Sequence, residues 1–206
     1  MPDNNGQTPL SLAAENVNDR AVMLLLGREG VSPDTPDNDG RTPLSWAAVN
    51  GREGAVKLLL GRQEVKPDML DGNGRTPLSW AAQNGHAGVV KLLLGREDAN
   101  PDLSDNHGRT PLSWAAANRR SMVVELLLEQ ESVNPNRPNN RGQTPLWLAA
   151  FFGHDIVVGL LLKREDVNPD TPDKDGMTPL SVASHERHRE VVKLLQARKS
   201  ANFSKA

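Results

Sequence analysis

Apolar residues fall into two short clusters that alternate with polar stretches, and the alternation recurs every 34 residues. One cluster is a Leu-Leu pair at 24, 58, 92, 126, 160 and 194. The other is an Ala-Ala pair at Ala13-Ala14, Ala47-Ala48, Ala81-Ala82, Ala115-Ala116 and Ala149-Ala150, which becomes Ala183-Ser184 in the last copy. Ahead of each alanine pair stands a glycine, at 6, 40, 74, 108, 142 and 176, followed two positions later by Thr-Pro-Leu. Self-similarity of this length marks a stacked array, so the chain reads as six copies of one small unit.

Each copy predicts two helices and a loop. The threonine hydroxyl is suited to cap a helix N-terminus, and proline directly after it sits where a helix tolerates a missing N–H. The first helix, for example 43–50, is short and carries small alanines that permit close packing. Gly51, Gly85 and Gly153 follow it, suited to a left-handed end; Val17, Arg119 and Arg187 fill that slot elsewhere, which predicts strain or a different turn. The second helix carries Ala55, Val56, Leu58, Leu59 and Leu60, a wide apolar stripe. The stretch 168–176, rich in Pro, Asp, Asn and Gly, is turn chemistry leading to the next threonine. A single helix pair cannot cover its own apolar face, whereas six stacked pairs form one elongated core. Trp46, Trp80 and Trp114 share a slot with Leu12, Leu148 and Val182, which predicts apolar packing in that core.

Composition narrows the function. The 206 residues carry 24 Lys and Arg against 26 Asp and Glu, a net charge of −2, which excludes a basic nucleic-acid binder as the default and gives no reason to expect affinity for an anionic membrane. With no cysteine, disulfides, thiolate metal sites and cysteine catalysis are excluded. No apolar run approaches the ~20 residues needed to span a bilayer, and Met1-Pro2-Asp3-Asn4 does not open a signal peptide, so the expected location is cytoplasmic. His185 and His188 stand three apart but lack further ligands at matching spacing, so no metal is expected; no cofactor or catalytic constellation is expected either, and the chain does not read as an enzyme.

Gly-Arg-Thr-Pro-Leu-Ser-Trp-Ala-Ala-x-Asn-Gly, followed by Val-Val-Lys-Leu-Leu-Leu, resembles the ankyrin repeat over nearly the whole chain. The resemblance implies an all-α solenoid of stacked helix-turn-helix pairs with β-hairpin loops. It implies a single domain over 1–206, with repeats at about 4–37, 38–71, 72–105, 106–139, 140–173 and 174–206. Two features depart from the family pattern. The period is 34 rather than roughly 33, with the extra residue near Arg62-Gln63-Glu64-Val65, and the family's Thr-Pro-Leu-His becomes Thr-Pro-Leu-Ser at Ser11, Ser45, Ser79, Ser113 and Ser181. The serines predict altered hydrogen bonding between neighbouring repeats. The Trp-Ala-Ala wording and the connection after the second helix are similar to arrays in large fungal NOD-like signalling proteins.

In the last copy Gln196 replaces the helix-2 leucine and Ser184 the second alanine, the polar conversion expected of a terminal repeat. The first copy keeps Leu12, Val17, Val22 and Met23, which predicts either a covering segment or a chain cut from something longer.

The resemblance implies a non-catalytic module that binds a protein partner through a concave groove and its hairpin tips. Such a module suits the sensing region of a larger signalling or immune-type receptor; an alternative is end-to-end self-association through the first repeat, although a monomer is expected of the isolated domain. The fifth copy is unusual: Trp147 stands where other copies have serine, with Phe151 and Phe152 behind it, which predicts an exposed aromatic anchor; the alternative is that Trp147 and Phe151 fill local gaps between the fifth copy and its neighbours. Arg137, Arg141 and Gln143 are expected to form its polar rim. Further groove positions are Asn118, Arg109 and His107 in the fourth copy, Gln83 and Arg75 in the third, and His185 in the last.

Overall fold

The computed structural model describes the backbone of residues 1–203. Twelve helices appear among these residues, alternating between an inner and an outer row. The inner row is α1 (Pro9–Glu15), α3 (Pro43–Val49), α5 (Pro77–Asn84), α7 (Pro111–Ala117), α9 (Pro145–Phe151) and α11 (Pro179–His185). The outer row is α2 (Asp19–Leu26), α4 (Glu53–Leu60), α6 (Ala87–Leu94), α8 (Ser121–Leu128), α10 (Asp155–Lys163) and α12 (Arg189–Phe203). Each helix packs on its pair-mate and on the same helix of the next repeat, so the fold is an all-α solenoid.

The inner helices start where the threonines stand. Thr42 Oγ1 accepts the Ser45 N–H at 3.2 Å, and Thr8, Thr76, Thr110, Thr144 and Thr178 do the same for their own copies, each with proline as the first helical residue. The Thr-Pro-Leu-Ser departure has a local answer: Ser11, Ser45, Ser79 and Ser113 are buried, and each hydroxyl pairs with its own capping threonine at 3.1–3.2 Å. At the helix ends Gly51, Gly85 and Gly153 adopt φ of +67°, +83° and +70°, and Arg119 and Arg187 are forced into the same left-handed region at +59° and +62°. The first copy takes the other route, leaving α1 through an extended Asn16.

The core is continuous through the array. Leu10, Leu44, Leu78, Leu112 and Leu146 line one side and Leu59, Leu93, Leu127, Leu161 and Leu195 the other, all essentially fully buried, with the alanine pairs letting the rows approach. Three polar seams accompany it. A basic or imidazole side chain ahead of each outer helix reaches a carbonyl of the preceding inner helix: Arg52 Nε to Glu15 O, His86 Nε2 to Val49 O, Arg120 Nε to Gln83 O, His154 Nε2 to Ala117 O and His188 Nε2 to Phe151 O, at 2.9–3.1 Å. Burial holds the His154 imidazole below its ordinary pKa, in keeping with a neutral ring that donates this bond. In the connections, Asp34, Asp68 and Asn136 accept the backbone N–H of Lys66, Asn100 and Asn168, and Arg96 and Arg164 reach back to Leu60 O and Leu128 O, satisfying orphan carbonyls of the preceding outer helix.

The third seam joins the hairpin loops. Asn38, Gly72, Asn106, Asn140 and Lys174 each donate their N–H to the preceding loop, at 2.8–3.0 Å. Within a loop one backbone bond closes the turn, as from Asp105 N–H to Arg109 O at 3.0 Å. These loops correct the expected β-hairpins: no strand forms among the described residues, because an Asp or Asn side chain spends its oxygen on the turn itself. No helix among them is long and apolar enough to cross a membrane.

Candidate interaction surface

The inner helices and hairpin loops together form one long face, and its chemistry is set by three residues per copy. In the second, third and fourth copies a loop aspartate uses Oδ1 to accept two loop N–H groups and Oδ2 to accept an indole N–H. Trp46 donates to Asp37 at 2.8 Å, Trp80 to Asp71 at 2.9 Å and Trp114 to Asp105 at 3.0 Å. Arginine from the same loop then lies over the indoles. Arg41 stands 4.9 and 5.1 Å from the Trp46 and Trp80 rings, Arg75 stands 3.5 and 4.1 Å from Trp80 and Trp114, and Arg109 stands 4.6 Å from Trp114. The outcome is an alternating ladder of tryptophan and arginine. Arg75, only 6% exposed, is its most enclosed rung, and burial lowers its guanidinium to about 10.

The ladder corrects the expectation that Trp46, Trp80 and Trp114 are core. They are half-buried at the edge of the groove, with the indole N–H turned to the loop. The slot one position earlier is more deeply buried, and Trp147 occupies it. Trp147 is 5% exposed, so it is not the exposed anchor expected; its backbone N–H caps onto Thr144 and its indole donates to Met177 O of the next repeat at 2.9 Å. Phe151 stacks on it at 5.3 Å and is half-buried, whereas Phe152, edge-on to Phe151 at 4.9 Å, is 48% exposed.

The ladder stops at the fifth copy. There Asn139, Gln143 and Leu148 replace the aspartate, arginine and tryptophan, and the Asn139 amide donates to Gln143 Oε1 at 2.9 Å. Leucine fills less of the face than indole, and a recess of about 460 Å³ opens between the fourth and fifth copies. It is lined by Arg109, Trp114, Ala117, Asn118, Arg141, Gln143, Trp147, Leu148, Phe151 and Phe152: two arginines, an aromatic floor and no carboxylate.

Seven of the expected groove residues thus meet in one place: Trp147, Phe151, Phe152, Arg141, Gln143, Asn118 and Arg109. The other five lie elsewhere. Arg75 and Gln83 bond to each other at 2.5 Å within the third copy's rung. His107 is exposed at a loop tip, where its carbonyl accepts the Asn140 N–H. Arg137 does not join the rim, since its guanidinium holds Asp102 at 3.0–3.2 Å. His185 is exposed at the last copy and pairs with Glu186 at 2.9 Å. Sequence reasoning missed Trp114 and Leu148 as lining residues; the co-occurrence of Asp, Arg and Trp in three copies against Asn, Gln and Leu in the fifth was the available signal. At the other end of the face a second recess, of about 360 Å³, is lined by Glu15, Asp37 and Asp39 beside Trp46. Among the described residues no group of three or more His, Asp or Glu is placed to hold a metal ion.

The comparisons agree with this architecture. A family model for ankyrin repeats (three copies) matches residues 1–68, 54–139 and 124–205. Among solved structures, the ankyrin repeat protein EF0377 is 25% identical with a TM-score of 0.83, over 91% of this chain and 96% of that one. An ankyrin repeat domain from Acinetobacter baumannii AYE is 29% identical with a TM-score of 0.83, over 93% and 97% respectively. No curated protein matches this chain at a significant level.

Proposed function

The chain belongs to the ankyrin repeat family, whose members are in general protein–protein interaction modules, and from that premise we propose that this chain is a non-catalytic module whose partner docks in the groove at the recess between the fourth and fifth repeats. One observation carries the reading: Phe152 presents 48% of its surface beside two arginines that form no ion pair among the described residues, in a recess that no carboxylate lines. Large apolar rings next to guanidinium groups are the residue types that dominate interface energies. Phe151, Asn118 and Gln143 complete the contact surface, and Trp147 acts from beneath by fixing the pitch of Phe151. The test is the affinity of a partner selected against this chain for Phe152→Ser and for Ile156→Ser, a somewhat more exposed apolar site on the outer row. The proposal requires at least a tenfold loss for the first and no loss for the second, the order expected of a hot spot; equal affinities overturn it.

A second reading, self-association through the first repeat, is favoured by the exposure of Val17, Met23 and Leu24 there, at 82%, 54% and 59%. Sedimentation over a concentration range separates the two. Dimers that Met23→Glu dissolves support it, and a monomer throughout excludes it.

A further inference from the structure

We infer that the recess takes an aromatic side chain of an acidic peptide segment, which completes the tryptophan–arginine ladder where the chain itself leaves it unfinished. The inference rests on the proposed docking at this recess and names what docks. Arg41 and Arg75 each lie between two indoles, at 4.9 and 5.1 Å and at 3.5 and 4.1 Å, whereas Arg109 lies over Trp114 alone, at 4.6 Å. The next indole position in register is Leu148, whose side chain lies at the floor of the recess.

The ladder itself shows what such a position prefers. The Nε atoms of Arg41 and Arg75 are buried without a hydrogen-bond acceptor; Arg75 bonds to Gln83 and to Ser79 O through Nη2 alone, and both guanidiniums lie against the flat faces of two indoles. A second aromatic face over Arg109 reproduces that arrangement, with Phe151 and Phe152 forming the apolar wall against which the ring packs.

Charge specifies the flanking residues. Neither Arg109 nor Arg141 forms an ion pair with a carboxylate among the described residues, and no carboxylate lines the recess, so two positive groups converge on it. Carboxylates beside the incoming ring meet them, Arg141 from the exposed rim and Arg109 edge-on. A nucleobase with its phosphates shares this aromatic and anionic character. The remainder of the face argues against it: Glu15, Asp37 and Asp39 crowd its other end, and the chain is net negative.

A randomised peptide library displayed on phage, panned against the whole chain, tests the inference. Enriched sequences are expected to place Trp, Tyr or Phe next to Asp or Glu, and the best synthetic peptide is expected to lose about tenfold in affinity with Arg109→Gln and again with Arg141→Gln. Glutamine already serves the Arg109 position in the first and fifth copies, at Gln7 and Gln143, and Arg141 is exposed, so both variants are expected to fold, which far-UV circular dichroism checks. Selected peptides that lack the aromatic–acid pair, or that ignore both arginine variants yet lose binding with Phe152→Ser, overturn this inference and leave the docking site standing. Peptides insensitive to all three variants, or no enrichment, overturn both. An oligothymidine that binds more tightly than the best peptide, and only when Arg109 is present, assigns the open rung to a base and overturns the peptide assignment.

Discussion

Trp80→Leu offers the sharpest test of whether the ladder acts as one unit. Trp80 carries two arginine faces, Arg75 at 3.5 Å and Arg41 at 5.1 Å, and its N–H meets Asp71 Oδ2 at 2.9 Å. Losing the hydrogen bond to a carboxylate that is 6% exposed costs about 1.5–3 kcal/mol, because the oxygen is left without its donor. Losing the two ring faces adds roughly 1–2 kcal/mol, offset in part by the leucine's own apolar contact. The single change is therefore expected to destabilise by about 3 kcal/mol. The fifth copy shows how a leucine is accommodated, with Asn139 and Gln143 joined by an amide bond of 2.9 Å. Installing that solution in the third copy, as Asp71→Asn, Arg75→Gln and Trp80→Leu together, removes the stranded carboxylate and the stranded guanidinium. The triple variant is expected to lose only about 1–2 kcal/mol, less than Trp80→Leu alone, the signature of coupled neighbours. Urea unfolding followed by far-UV circular dichroism measures both, since the ellipticity reports the helices whether or not the indole is present. A triple variant at least as destabilised as the single one refutes the rung as a cooperative set.

The remaining predictions use the same measurements. Trp147→Ala, which empties a buried slot, is expected to cost about 3–5 kcal/mol, whereas Phe152→Ser stays within about 0.5 kcal/mol; a comparable loss for both contradicts the division between core and surface. Arg119→Gly relieves a left-handed φ of +59° and is expected to raise stability by about 1 kcal/mol in urea midpoints, since no described side-chain bond is lost; destabilisation refutes it. Burial raises the Asp68 carboxyl above its ordinary value, so its contribution is fully present below the unfolded pKa and declines as pH rises through the folded one. Asp68→Asn keeps an acceptor for the Asn100 N–H, as Asn136 does for Asn168, and is expected to be at least as stable as the native chain at pH 7 with its relative advantage fading in acid; a growing advantage in acid contradicts the assignment.

The periodic parts of this fold were legible because each is written by the same residues six times. Threonine before proline caps, paired alanines admit close approach, and paired leucines cover them, so helix positions followed within a residue, as at Pro43–Val49 against 43–50. The slot after those helices was half legible: glycine announces a left-handed turn, but only the structure shows Arg119 accepting the strain while the first copy avoids it. The tryptophans were read in reverse, for a physical reason. Neighbouring slots on a helix of about two turns differ in depth of burial, and a set of occupants such as Trp, Leu and Val marks an apolar wall without saying whether that wall is closed. Trp147 replaces a buried serine and follows it inward, while Trp46, Trp80 and Trp114 lean under the loops. The recess itself arises from an absence, the missing indole at Leu148, which becomes visible once Asp, Arg and Trp are seen to travel together from copy to copy. Arg137 illustrates the converse: its sequence position by the loop suited the rim, yet a carboxylate of the preceding connection, Asp102, holds it away.

Indole N–H resonances give the most direct view of where a partner sits, because the four tryptophans mark the face at four distinct places. On titration with a bound peptide in a nitrogen–proton correlation spectrum, Trp114 and Trp147, which line the recess, are expected to shift, while Trp46 beside the acidic end stays in place. Assignment by single Trp→Phe changes at positions 46, 80 and 114 identifies the signals. A Trp46 shift with Trp114 and Trp147 unmoved, or binding that disturbs none of the four, contradicts docking at the recess between the fourth and fifth repeats.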